Sequence, residues 1–368
     1  MISLRSPKIL VLAIHCIGDS LLTTCQVASL KKAFPSGNID VLVTARGAMV
    51  YDSNPEVNKV ICLPQKMGLK QYWRYLLKQF RSYDFVVNEQ TSDRSAIYSW
   101  ILGRRRLGII NPSEKSAWLK KLVYTDFVLE QEQYEHKIMR NLRMLSPLNI
   151  ASYPSVVSPQ QRIPSELIVK LPQDYIVVHA PSSNTIKQWP ESSWIKLIDG
   201  LVARGYNIVL TGADSERDKQ IVTSVLSGIQ ASEQVFSLVG QLNFAQTGTL
   251  LEQSIGFIGP DSGPGHLAAG FNIPIISIIS VAPASVWSPW PKNAVIPKRA
   301  SSIYQDRIPV IQENNNVTVL QSDRACVPCY QDLCKYVDQP YSPCLTDISV
   351  EQVLNATLDK LDHREPNS

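Results

Sequence analysis

The stretch FIGPDSGPGHLAAG, residues 257–270, decides the reading of the whole chain. Apolar residues lead into a turn of Gly, Pro, Asp and Ser, and a small-residue helix follows. Strand, tight turn and helix form the repeating unit of a parallel α/β sheet. Such a turn either reverses the chain or lets the backbone approach a ligand closely. Gly263 and Gly265 carry no side chain that would block a phosphate. A helix beginning near Pro264 would present free N–H groups and the positive end of its dipole. His266 can donate to a phosphate or sugar oxygen, although an isolated histidine is more often simply packed. Asp261 would repel a phosphate, so it needs another task, such as orienting a donor or holding a sugar hydroxyl.

The same unit recurs in both directions from this stretch. Strands are expected over residues 8–15, 39–45, 57–63 and 83–88, with helices over 19–34, 70–80 and 95–102. A proline-rich passage over about 150–172, with Pro154, Pro159, Pro164 and Pro172, reads as an interdomain linker. The alternation then restarts. Strands are expected over 175–180, 207–211, 255–259 and 273–280, and helices over 193–204, 216–226, 250–254, 265–271 and 350–361. The expected fold is therefore α/β, with two Rossmann-like doubly wound domains joined by a hinge. The boundaries are 1–155, 173–345, and a terminal helix and tail over 346–368.

Composition fits this. The 368 residues are 44% hydrophobic and 18% charged, enough for two packed cores. No run approaches the roughly 20 apolar residues of a membrane span, and the N-terminus lacks a cleavage-type signal, so a cytoplasmic protein is expected. The net charge of +4 conceals an asymmetry: residues 1–150 hold 21 Lys+Arg against 12 Asp+Glu. The basic half includes Arg104-Arg105-Arg106 and a run from Lys115 to Lys121 that contains Trp118 and Leu119. Basic residues beside Trp and Leu suit an anionic membrane surface or an acidic acceptor; the alternative is a solvated basic face.

Seven cysteines are present, four of them spaced C-x2-C-x4-C-x9-C at Cys326, Cys329, Cys334 and Cys344. That spacing admits a zinc ion, a local disulfide or reduced structural thiols.

In doubly wound sheets ligands bind where strand turns into helix at the carboxyl edge. Three loops join the opening stretch there. In His15-Cys16-Ile17-Gly18-Asp19, Gly18 permits a tight turn, and Asp19 either caps the helix or accepts a proton from a hydroxyl. In the loop from His179 to Pro190, Ser182, Ser183 and Thr185 with Lys187 suit phosphate, without P-loop spacing. After Thr211-Gly212, the acidic Asp214 and Glu216 suit ribose hydroxyls or a helix cap.

Together these stretches resemble glycosyltransferase family 9, the heptosyltransferases of lipopolysaccharide core assembly. The resemblance is carried by IGDSLLTTCQVASLKKAFP, NPEVNKVI, IVVHAPSSNTIKQWPESSWIKLIDGLVARGYNIVLTGADSE, GPDSGPGHLAAGFNIPIISI and WSPWP, in that order. It implies a GT-B fold and inverting transfer from a nucleotide sugar without a catalytic metal, and the chain has no D-x-D. It implies that Asp19 is the general base, beside Gly18. Ser183 and Lys187 would bind the nucleotide phosphates, Glu216 the ribose and Leu242 the base. Asp261, Ser262, Gly263 and His266 would hold the diphosphate and donor sugar. The implied donor is ADP-heptose; the acceptor would be an anionic glycolipid or glycan reached at the inner face of the cytoplasmic membrane, with no nucleic acid involved. Ala180 departs from a common HPG, and Ser280-Val281-Ala282-Pro283 from a common Phe-Gly-Pro-Thr. A nucleotide-sugar epimerase on the same scaffold and a non-catalytic nucleotide-sugar-binding protein are the alternatives.

Overall fold

The computed structural model describes residues 6–63, 74, 77–131, 135–230, 232–296, 302–336 and 341–363. The chain divides into two compact units, Met1–Pro159 and Gln160–Ser368.

The first unit is built on a six-stranded parallel sheet in the order β3-β2-β1-β4-β5-β6. Its strands are β1 (Lys8–Ala13), β2 (Asn38–Val43), β3 (Lys59–Cys62), β4 (Tyr83–Asn88), β5 (Gly103–Ile110) and β6 (Asp126–Leu129). KILVLA forms β1 because a central parallel strand is covered on both faces, and all but Lys8 are buried. The helices are α1 (Ile17–Ala33), α2 (Ala45–Tyr51), α3 (Asp93–Leu102), α4 (Ala117–Val123) and α5 (Lys137–Arg143). Every residue of α1 from Ser20 to Leu30 is buried. Two amides cross the α5 contact: Gln26 donates to the Asn141 carbonyl at 2.7 Å, and Asn141 donates to the Leu22 carbonyl at 3.0 Å.

The second sheet has seven strands in the order β12-β13-β11-β10-β7-β8-β9. These are β7 (Ile176–Val178), β8 (Ile208–Leu210), β9 (Val235–Ser237), β10 (Gly256–Pro260), β11 (Ile275–Ile279), β12 (Ile311–Asn314) and β13 (Val317–Gln321). Only β12 is antiparallel, paired with β13 through a tight turn at Asn315 and Asn316. The longer helices are α6 (Glu191–Val202), α7 (Glu216–Gly228), α8 (Phe244–Glu252) and α9 (Val350–Asp362). The terminal helix α9 is part of this unit's core, contributing Val353 and Ala356. Trp189 locks the approach to it: the buried indole donates to the carbonyls of Leu345 and Ile348 at 3.1 and 3.2 Å.

One expectation is refined, one is overturned and one falls outside the described residues. The proline-rich passage contains the boundary between the two units, at Pro159 and Gln160, and each half is hydrogen-bonded to its own unit. Its first half is pinned to α1, with Tyr153 N–H on Ser29 Oγ and Val157 N–H on Thr24 Oγ1; its second half bonds α8 through Gln161. Arg104-Arg105-Arg106 is not a basic face but part of β5. Arg106 is buried and donates to the Val123 carbonyl at 2.5 Å, and Arg105 is paired with Asp126 at 2.7 Å. The helix expected over 70–80 lies largely outside the described residues.

Candidate active site

Each sheet has one point where the chain reverses its winding. In the first it lies between β1 and β4, in the second between β7 and β10. Strands that diverge at their carboxyl ends leave a crevice there, and side chains on the following loops face it. Each unit places an acid and a base across that point.

In the first unit, β1 leads to His15 and β4 to Glu89. Glu89 is fully buried, with His15 Nε2 at 2.5 Å and Lys137 Nζ at 3.3 Å. Thr23 Oγ1 donates to it at 2.7 Å, and Arg140, itself 2.9 Å from Glu130, stands 3.6 Å away. Burial alone would raise the Glu89 carboxyl, but Lys137, His15 and Arg140 outweigh it and hold it well below the usual carboxylate range. Burial works to lower the His15 imidazole; Glu89 and then Asp19 overcome it, so His15 titrates above its ordinary value.

Asp19 sits beside this network, with Lys137 Nζ 3.9 Å from its carboxylate. It does not cap α1. The helix starts at Ile17 with Cys16 at the N-cap, so Asp19 is the third helical residue and makes no cap hydrogen bond. Gly18 likewise lies in the first helical turn rather than in a tight loop turn. Asp19 remains partly exposed, at 23% of its side chain. A carboxylate held between a helix N-terminus and an ammonium can accept a proton from a hydroxyl.

In the second unit Lys187 follows β7 and Asp261 follows β10. Their side chains meet at 2.6 Å. Asp261 is largely buried and Lys187 about a quarter exposed, so the carboxylate fixes the ammonium rather than competing with it for an anion. Asp261 thus holds the Lys187 ammonium in place. Ser262 follows, its Oγ buried with no hydrogen-bond partner among the described residues. The helix after it, Gly263–Ala268, has only six residues. It offers fewer donors than expected: Pro264 has no N–H, and the amides of Gly265 and His266 both donate to the Ser262 carbonyl. His266 is buried.

The remaining predicted residues do not join this cluster. Ser183 is exposed on the loop after β7, Glu216 is exposed at the start of α7, and Leu242 is half-buried just before α8. The loop after β8 is shaped instead by Asp218, which accepts from Ala213 N–H at 2.8 Å and Ser215 Oγ at 3.0 Å. Arg217 ties it to the β7 loop through the Ser182 carbonyl at 3.0 Å. His179, buried at the end of β7 against Thr211 Oγ1 at 3.1 Å, is pushed down to about 4 by burial and is neutral at neutral pH.

All seven cysteines are free thiols. Burial, and then the neighbouring Cys326, Cys329 and Cys334, push the Cys344 thiol up to about 12. Among the described residues no group of His, Cys, Asp or Glu is arranged to hold a metal ion.

Residues 72–335 match the profile of glycosyltransferase family 9 (heptosyltransferase). The chain belongs to glycosyltransferase family 9. This family 9 enzyme is 30% identical over 295 residues to lipopolysaccharide heptosyltransferase 3 of Escherichia coli, covering 76% of this chain and 85% of that one. Its fold is similar to that of ADP-heptose lps heptosyltransferase II of E. coli, with a TM-score of 0.69 at 19% identity over 96% of this chain and 98% of that one. The E. coli heptosyltransferase WaaC, solved with ADP-2-deoxy-2-fluoro heptose, gives a TM-score of 0.65 at 17% identity over 96% and 99%. The two parallel-sheet units are thus those of a GT-B glycosyltransferase, and lipopolysaccharide biosynthesis is the setting of the family.

Sequence reasoning on this glycosyltransferase missed Glu89, Lys137 and Arg140, and gave His15 no role. The signal available for Glu89 was its position: a carboxylate directly after the apolar strand YDFVVN. For Lys137 there was none, because only the α1–α5 packing brings it to the β1 loop.

Proposed function

We propose that the chain is an inverting, metal-independent glycosyltransferase that moves heptose from ADP-heptose to a lipopolysaccharide-type or other cell-surface glycan. The observation that carries this reading is the charged pair at each reversal point, Asp19 beside Lys137 in one unit and Lys187 on Asp261 in the other. The first unit would take the acceptor, the second the nucleotide sugar.

Asp19 takes the proton of an acceptor hydroxyl, and that oxygen attacks the anomeric carbon from the face opposite the diphosphate. The bond from the anomeric carbon to the phosphate oxygen breaks, and the nucleoside diphosphate leaves with the electron pair. Negative charge grows on it as it departs. Lys187, already oriented by Asp261, offsets that charge without reorganising, which is where fixed electrostatics lower a barrier most. Ser262 Oγ, buried without a partner among the described residues, is a donor available to the phosphates or sugar. His266 and Gly263 flank it, with Ser183, Glu216 and Leu242 reaching the phosphates, ribose and base from the neighbouring loops. The ADP-linked sugar bound to WaaC supports the choice of donor. The acceptor would be reached at the inner face of the cytoplasmic membrane.

A thermal-shift screen with ADP-, GDP-, UDP- and dTDP-sugars tests the donor. Stabilisation by ADP-heptose above the others is expected; a preference for another base would overturn that choice.

A further inference from the structure

We propose that one face of the first unit docks on an anionic lipid surface. Every exposed large hydrophobic side chain of that unit, among the described residues, falls between Leu77 and Leu129. Those on α3, α4 and β6 lie on a single side of the sheet. Ala96 of α3 and Ala117 of α4 pack together over Ile110 of β5, so both helices cover the same face. Tyr124 stands against Gly108 on that face as well. Gly108 and Ile110 register with Phe127 and Leu129 of the edge strand β6, and registered residues of parallel strands point to the same side.

The outer surface of this layer is apolar. On α4, Trp118 and Leu122 are 66% and 72% exposed, one helical turn apart, with Leu119 beside them. Ile97 and Trp100 project from α3, and Trp100 meets Phe80 edge-on with ring centroids 6.2 Å apart. Phe127 and Leu129 extend the band to the sheet edge. A folded chain seldom leaves such a contiguous set of large apolar and aromatic residues in water unless something covers it.

Charge selects the partner. Arg94, Lys115 and Lys121 are exposed around the band. The nearby acids are engaged elsewhere: Asp93 and Glu114 by the buried Lys120, Asp126 by Arg105. The rim is therefore basic. Lysines are depleted from protein–protein interfaces, whereas Trp and Phe with flanking Lys and Arg suit the boundary of an anionic bilayer. Among the described residues no helix is long and apolar enough to cross a membrane, so this face would rest on the surface. The inference deepens the reading of a membrane-borne glycolipid acceptor and rests on it for its purpose.

The test is co-sedimentation of the full chain with vesicles that contain no sugar acceptor, so it stands or fails separately from transfer. Vesicles of equal parts phosphatidylglycerol and phosphatidylcholine should bind the protein, and vesicles of phosphatidylcholine alone should not. Lys115→Gln with Lys121→Gln should weaken binding roughly thirtyfold at low salt, from about 1 kcal/mol per lysine. Trp118→Ser with Leu122→Ser should abolish sedimentation while leaving transfer to a delipidated acceptor unchanged. Failure of the wild-type chain to bind phosphatidylglycerol would overturn the proposal, as would full binding by both double variants. So would a wild-type dimer that Trp118→Ser with Leu122→Ser dissociates, which would make the band an interface between copies.

Discussion

Replacing Glu89 by Gln isolates the buried network behind Asp19. The substitution keeps the shape and removes the charge that Lys137, His15 and Arg140 face at 3.3, 2.5 and 3.6 Å. All three partners are at least four-fifths buried, so solvent screens little of the loss. Removing one member of a buried charged set leaves the others uncompensated and costs about 3–5 kcal/mol. The pH dependence has a definite sign. The Glu89 carboxyl is depressed in the fold, so its contribution is full above its unfolded value of about 4.3 and drains only as pH falls through the folded one. The His15 imidazole is raised, so its contribution is full below about 6.5 and is lost as pH climbs through its folded value. Both are complete between about pH 4.3 and 6.5, and the variant should lose most stability there. Urea denaturation in that window and an NMR titration of His15 measure the two effects. His15 should titrate above about 6.5 in the wild type and below it in Glu89→Gln, because burial, the largest single influence, is then joined by Lys137 and opposed only by Asp19. An unchanged His15 titration with a loss below about 1 kcal/mol would refute the network.

Lys187→Ala should weaken ADP binding about tenfold to a hundredfold, the value of a hydrogen bond to a charged group, measured by calorimetry. It also leaves Asp261 largely buried and unpaired, so the melting temperature should fall with it. Trp189→Phe removes two hydrogen bonds that tie the buried indole to the segment before α9. It should cost about 1–3 kcal/mol in thermal denaturation without changing ADP affinity.

The alternating β/α rhythm was legible because central parallel strands such as KILVLA, after its leading lysine, and GFIGP lack charged and polar side chains. The switch-point loops were legible for the same reason: a run of small and polar residues must follow such a strand. What stayed hidden depended on pairing across the fold. The three arginines 104–106 look alike in sequence, yet strand alternation and the Asp126 and Val123 partners bury one and pair another. The hairpin of β12 and β13 escaped notice because IQEN and VTVLQ are short and half polar, with only the Asn run between them as a turn signal. Asp261 was read as a problem for an anion site; its answer, Lys187, lies 74 positions away. Glu89 and Lys137 were invisible as partners because their meeting depends on helix α5 packing against α1.

The central claim is that Asp19 is the base of a sugar transfer whose leaving group is held by Lys187. The most direct measurement is ADP-heptose turnover by Asp19→Asn beside its affinity for ADP. The account predicts a correctly folded protein that binds ADP as the wild type does and turns over about a hundredfold to ten-thousandfold more slowly. Turnover near the wild-type rate would contradict it.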